Sequence, residues 1–163
     1  MNKNLDDCKK EILNDISRTI SFRLCSIGVD LGLFEDLSIN GPSSSEEIAF
    51  RKKYNERYIR EWLYGISKTG YIDFDRKTRK ASINDHYIEL FTTEGGKNSF
   101  KGFFKVINNM LLPYENLISS FKNGGGIKFE EYNSEFWKGL DLTGCSRYRS
   151  CLLYTSDAAD ETT

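Results

Sequence analysis

The chain has 163 residues, 39% of them hydrophobic and 13% aromatic, with a net charge of −1. That size suits about one packed domain, and the composition excludes a disordered polymer. No apolar run approaches the roughly 20 residues of a membrane span, and the polar start Met1–Asn4 is no secretory signal, so a cytoplasmic protein is expected.

The four cysteines, Cys8, Cys25, Cys145 and Cys151, show neither CxxC nor zinc spacing. They read as reduced thiols of a cytosolic protein, two of them core-facing. Charge is unevenly spread: residues 51–80 carry ten basic and four acidic side chains, whereas residues 1–50 carry five and nine. The small total says nothing about partners, but the central basic block raises the question of nucleic acid.

Leu5, Cys8, Ile12, Ile16, Ile20, Leu24, Ile27, Leu31 and Phe34 recur every three or four residues. This predicts one apolar seam, on a single helix or on two helices broken near Gly28. Asn40-Gly41-Pro42 is a stop and turn. Ser44 and Glu47 then form a capping box that opens a short helix through about Lys52. Asn55 caps the next helix, Glu56 to Thr69, which Gly70 ends. Tyr71–Phe74 and Lys80–Ile83 flank the charged turn Asp75–Arg79 and read as a hairpin. Further helices are predicted at about Asn84–Thr92, Lys97–Leu112, Pro113–Lys122 and Glu130–Leu140. The expected fold is mainly α: a winged helix-turn-helix with a small two-stranded β wing and additional helices.

Three blocks together carry a resemblance: Leu31–Leu37 (LGLFEDL), Tyr54–Leu63 (YNERYIREWL) leading to Gly70-Tyr71, and Ser120–Gly126 (SFKNGGG). In this order and spacing they resemble the N-terminal winged-helix region of class I S-adenosylmethionine-dependent methyltransferases, over roughly residues 15–140. The resemblance implies a parent enzyme in which a Rossmann-like cofactor domain follows this region. There, a substrate nucleophile would attack the cofactor's methyl sulfonium, helped by positioning and desolvation. It also implies a homodimer formed through the N-terminal helices, and a small-molecule substrate in the parent.

The family's cofactor turn carries over to no residue of this chain. Leu140–Ser146 (LDLTGCS) mimics its start but has one glycine where the motif needs two or three, and no apolar strand precedes it. The eleven residues Cys151–Glu161 resemble one reading frame of a translated transposase sequencing adapter. The natural sequence is therefore expected to run on past about Ser150. The domains expected are a helical winged-helix unit at 1–140, the start of a truncated linker at 141–150 and a non-native tail at 151–163. The fragment itself is expected to be inactive and to hold no cofactor, with no catalytic, cofactor or metal residue assigned.

Candidate contact residues remain. Arg51, Lys52, Lys53, Arg57 and Arg60, with Arg76, Lys77, Arg79 and Lys80 of the wing, are placed to neutralise phosphates or meet a partner. The helical pattern argues against base reading. Tyr58, Ile59, Trp62, Leu63 and Ile66 form its apolar face, and Glu56–Arg60 and Arg57–Glu61 pair at i,i+4. Gly124, Gly125 and Gly126 read as a helix cap and connector, and the resemblance makes them a candidate substrate-cleft loop. His86, the only histidine, reads as an ordinary polar position. Tyr132, Phe136 and Trp137 read as a packing cluster. Two alternatives stay open: a winged-helix DNA-binding transcription regulator, and a plain dimerisation module.

Overall fold

The computed structural model describes residues 3–94 and 96–144. Arg147–Ser150, Cys145, Cys151 and the adapter-like tail lie outside the described residues. The chain divides into two compact units, residues 1–84 and the residues from Asp85 onward.

The first unit opens with α1 (Leu5–Asp30), set by a reciprocal capping box. The Asn4 side chain accepts from the Asp7 N–H at 2.9 Å, and the Asp7 carboxylate accepts from the Asn4 N–H at 3.3 Å. The helix runs straight through Gly28. The break falls four residues later, where Gly32 takes the left-handed φ of 63° before α2 (Leu33–Asn40). Gly28 serves packing instead: a Cβ there would lie 2.4 Å from Trp62 Cζ2 and 2.7 Å from Phe34 Cε2.

The predicted seam is exposed along its first part, while Leu24 is half-buried and Phe34 fully buried. Every described residue up to Ile20 is exposed, and Ile27 is too. The core is met by the neighbouring stripe of Cys25, Ser26, Gly28 and Val29. Periodicity finds an apolar face; it does not say what covers that face.

After α2, Ser44 caps α3 (Ser45–Lys52) and Asn55 caps α4 (Glu56–Ile66), both as read from sequence. Turns carry the chain from α4 to Gly70, so the helix proper stops three residues short of the expected end. The wing is β1 (Ile72–Asp75) paired antiparallel with β2 (Lys80–Ile83), Ile72 opposite Ile83 and Phe74 opposite Ala81. Ser43 adds a third edge through two backbone hydrogen bonds with Ala81, at 2.9 and 2.8 Å. Leu33, Phe34, Leu37, Ile48, Leu63, Ile66 and Ile72 are fully buried between these elements. Each such side chain contributes about 1.5–3 kcal/mol relative to exposure. The described secondary structure is therefore mainly helical with one two-stranded sheet, a winged helix-turn-helix.

The second unit contains α5 (Asp85–Thr92), α6 (Lys101–Met110), α7 (Tyr114–Asn123) and a short 3-10 turn (Phe129–Glu131). Residues 134–144 are also helical (α8), capped where Asn133 Oδ1 accepts from the Phe136 N–H at 3.1 Å. Thus α6 begins at Lys101 rather than Lys97, and the final helix begins after Asn133 rather than at Glu130. In the second case the asparagine cap outcompetes the glutamates. Helices α6 and α8 cross at two buried glycines: a Cβ on Gly102 would lie 2.8 Å from the Gly139 carbonyl oxygen. Few large side chains are buried in this unit, Phe91 and Phe136 among them, and α7 buries none.

Candidate functional site

α3, the turn at Lys53–Asn55 and α4 make the helix-turn-helix. Helix α4 is anchored by Ile59, Trp62, Leu63 and Ile66. Trp62 sets its position against α1, donating from Nε1 to the Leu24 carbonyl at 2.8 Å and meeting Phe34 edge-on at 5.2 Å. Tyr58, expected on the buried face, is 75% exposed instead. It lies one residue off the stripe that Ile59, Trp62, Leu63 and Ile66 define at i, i+3, i+4 and i+7, and so turns to solvent.

Several charges of the basic block are engaged locally. Arg51 grips Asp36 in a bidentate pair, Nε to Oδ1 at 3.1 Å and Nη2 to Oδ2 at 2.5 Å, and also donates to Ser43 Oγ at 2.8 Å. The Asp36 side chain is only 5% exposed, and its hydrogen bond to Arg51 raises the guanidinium's affinity for its proton. Arg60 lies 3.6 Å from Glu56 as expected, while Lys80 meets Glu47 at 2.9 Å. The expected Arg57–Glu61 pair is not formed among the described residues. Both side chains point to water, where such a pair is worth only a few tenths of a kcal/mol, about 0.2–0.5.

Two wing residues of the candidate set are brought together by the fold. Arg76 and Arg79 line an open cavity of about 420 Å³ with Tyr64, Ser67, Lys68 and Phe74. Arg57, Arg60 and Lys77 are not among its lining residues. Tyr64 and Phe74 meet edge-to-face at 5.2 Å. Tyr64 and Lys68 lie off the apolar stripe of α4, and both are exposed. The sequence carries no signal that strand residue Phe74 meets Tyr64, since that juxtaposition exists only once the wing docks on α4.

In the second unit, Gly124 caps α7 at φ 77°, donating its N–H to the Ser120 carbonyl. Gly125 and Gly126 follow, also at positive φ, with open space around all three. The glycines lie between a helix and an extended segment, not between a strand and a helix, so they do not form a phosphate cradle. Residues 140–144 are helical, so the start of the string that mimics a cofactor turn makes no strand-to-loop corner. These residues therefore do not form the corner that an S-adenosylmethionine turn of this kind needs. His86 sits exposed in the first turn of α5. Phe136 stacks on Tyr132 at 4.4 Å and meets Trp137 at 5.4 Å, the expected aromatic cluster.

A second cavity, of about 410 Å³, is lined by Glu94, Lys105, Glu135, Lys138, Asp141 and Leu142. Both of its lysines pair with Glu135, Lys105 at 2.8 Å and Lys138 at 2.6 Å. Hydrogen bonds from Lys105 and Lys138 hold the Glu135 carboxyl well below its ordinary range, at about 2. Burial pushes the Cys25 thiol up to about 12 and leaves it unreactive. Among the described residues no cluster of three His, Cys, Asp or Glu side chains is placed to hold a metal ion. No described helix is long and apolar enough to cross a membrane.

Residues 20–93 match the family model described as Rv2258c-like winged HTH domain. The fold is similar to that of N,N-8-amino-8-demethyl-D-riboflavin dimethyltransferase (RosA) from Streptomyces davawensis. The TM-score is 0.67 at 12% identity, covering 97% of this chain and 48% of that one. Mitomycin 7-O-methyltransferase MmcR aligns with TM-score 0.60 at 19% identity, over 86% of this chain and 43% of its own. PigF, solved with SAH, aligns with TM-score 0.59 at 17% identity, over 71% and 33% respectively. This chain spans less than half the length of each. No curated protein matches it by sequence.

Proposed function

We propose that residues 1–140 are the front, winged-helix part of an S-adenosylmethionine-dependent methyltransferase, pairing with a second copy through α1. The likeness to the methyltransferases RosA and MmcR, joined to the family match at residues 20–93, carries the reading. In this reading the cofactor and the methyl-transfer chemistry belong to a domain beyond these residues, and the substrate of the whole enzyme is a small molecule. Gly124–Gly126 then border the substrate cleft. The free thiols of Cys8 and Cys25 suit a cytoplasmic enzyme.

The transcription-regulator alternative draws less support, because Arg51, Arg60 and Lys80 direct their charge to neighbouring carboxylates rather than outward. The test is to read the source gene past the codon for Ser150. An in-frame strand, glycine-rich turn and helix, followed one strand later by an acid, supports the proposal. A stop within a few codons overturns it. Calorimetry on the chain as it stands should show no saturable S-adenosylmethionine binding.

A further inference from the structure

We propose that the cavity between the end of α4 and the wing turn is a binding site for a small phosphate monoester carried on a flat ring, the chemistry of an aryl phosphate or a mononucleotide. This goes beyond the methyltransferase reading and does not depend on it. Lys68, Arg76 and Arg79 reach the cavity from the helix end and from both sides of the turn. All three are exposed.

The fold leaves Lys68 and Arg76 without an ion pair among the described residues and gives Arg79 only a long one. Cations at a helix C-terminus often serve its free carbonyls, but here those carbonyls have their own donors. The Ser67 N–H bonds to Leu63 and the Lys68 N–H to Gly65, while the hydroxyls of Ser67 and Thr69 donate to Tyr64 and Ile66. Asp75, the carboxylate of the turn, is tied up within it, accepting from the Lys77 N–H at 2.8 Å and from the Thr78 hydroxyl at 2.7 Å. Arg79 makes only a long ion pair with Glu46, at 4.0 Å between two exposed side chains, and Lys68 and Arg76 have no ionic partner among the described residues. Three convergent cations match a dianion better than a single carboxylate.

The ring requirement comes from the Tyr64–Phe74 pair, which gives the cavity an aromatic wall beside the cations. A volume of about 420 Å³ suits one small ligand rather than a duplex. Arg79 also holds a left-handed φ of 57°, where glycine or asparagine would sit with less strain, so the turn keeps a long cation at a conformational cost.

The test is titration calorimetry of the 163-residue chain with phenyl phosphate, with inorganic phosphate and a short DNA duplex as the other arms. Saturable phenyl phosphate binding, tighter than inorganic phosphate, is expected. Lys68→Gln and Arg76→Gln should each weaken it roughly two- to fivefold. Tyr64→Ala should erase the advantage over inorganic phosphate. Arg79→Gly separates binding from folding, since it relieves the strained φ and should leave the thermal midpoint unchanged or raised while lowering affinity. The proposal is overturned if phenyl phosphate gives no saturable heat, if Arg79→Gly binds it as the parent does, or if the duplex binds and phenyl phosphate does not compete.

Discussion

Gly28 lies in the middle of a helix, where alanine is ordinarily better by about 1 kcal/mol. Trp62 and Phe34 reverse that preference, because their rings occupy the space a methyl group would need. Gly28→Ala should therefore destabilise the first unit by about 1–3 kcal/mol from overpacking, less the helix gain. A lower urea midpoint with unchanged slope checks it; a raised midpoint would show that the rings move aside freely. Glu135 gives a second expectation. Its carboxyl titrates at about 2 because Lys105 and Lys138 bond to its charged form, so the folded state binds this proton less readily than the unfolded chain does. The stabilisation is full above the ordinary glutamate value of about 4.3 and fades as pH falls toward about 2. Glu135→Gln should flatten the loss of stability between those pH values, as followed by circular dichroism.

Among the elements, local chemistry was the legible part. The Ser44–Glu47 box, the Asn55 cap and the wing strands all stand close to where the residue pattern put them, since caps and alternation act over a few residues. The orientation of α1 was not legible, because its C-terminal half carries two apolar stripes and the sequence does not say which one Trp62 will meet. The consequence is a helix whose first four turns are exposed, with Leu5, Ile12, Leu13, Ile16 and Ile20 each more than half so. An isolated helix of such length is marginal in water, about 12–15 residues being the usual threshold. A second α1 laid along this stripe would cover it. Ile16→Glu or Ile20→Glu should thus leave the first unit folded yet weaken self-association about a hundredfold or more, because a symmetric contact counts each change twice. Sedimentation equilibrium decides; a parent chain that stays monomeric at tens of micromolar would sink the dimer outright.

For the whole molecule, the charge split noticed in the sequence has a structural counterpart, though not the one its clustering suggested. Arg51, Arg60 and Lys80 of the basic block pair with carboxylates, whereas Arg76 and Arg79 line a pocket at the wing. The residue pattern did not announce that pocket, because its two walls, Tyr64 to Lys68 and Phe74 to Arg79, come together only when the wing docks on α4. The two units also differ in what holds them. Residues 1–84 bury seven large or mid-sized apolar side chains completely and clamp Asp36 with a bidentate arginine, so they own a core. The residues from Asp85 onward rely on a glycine crossing and a few aromatic contacts. A unit with its own core should fold alone. Residues 1–84, produced as a separate polypeptide, should unfold in one cooperative urea transition and keep Trp62 shielded from quencher. A broad, non-cooperative loss of helix would mean that this core does not suffice and that the unit borrows stability from the rest of the chain.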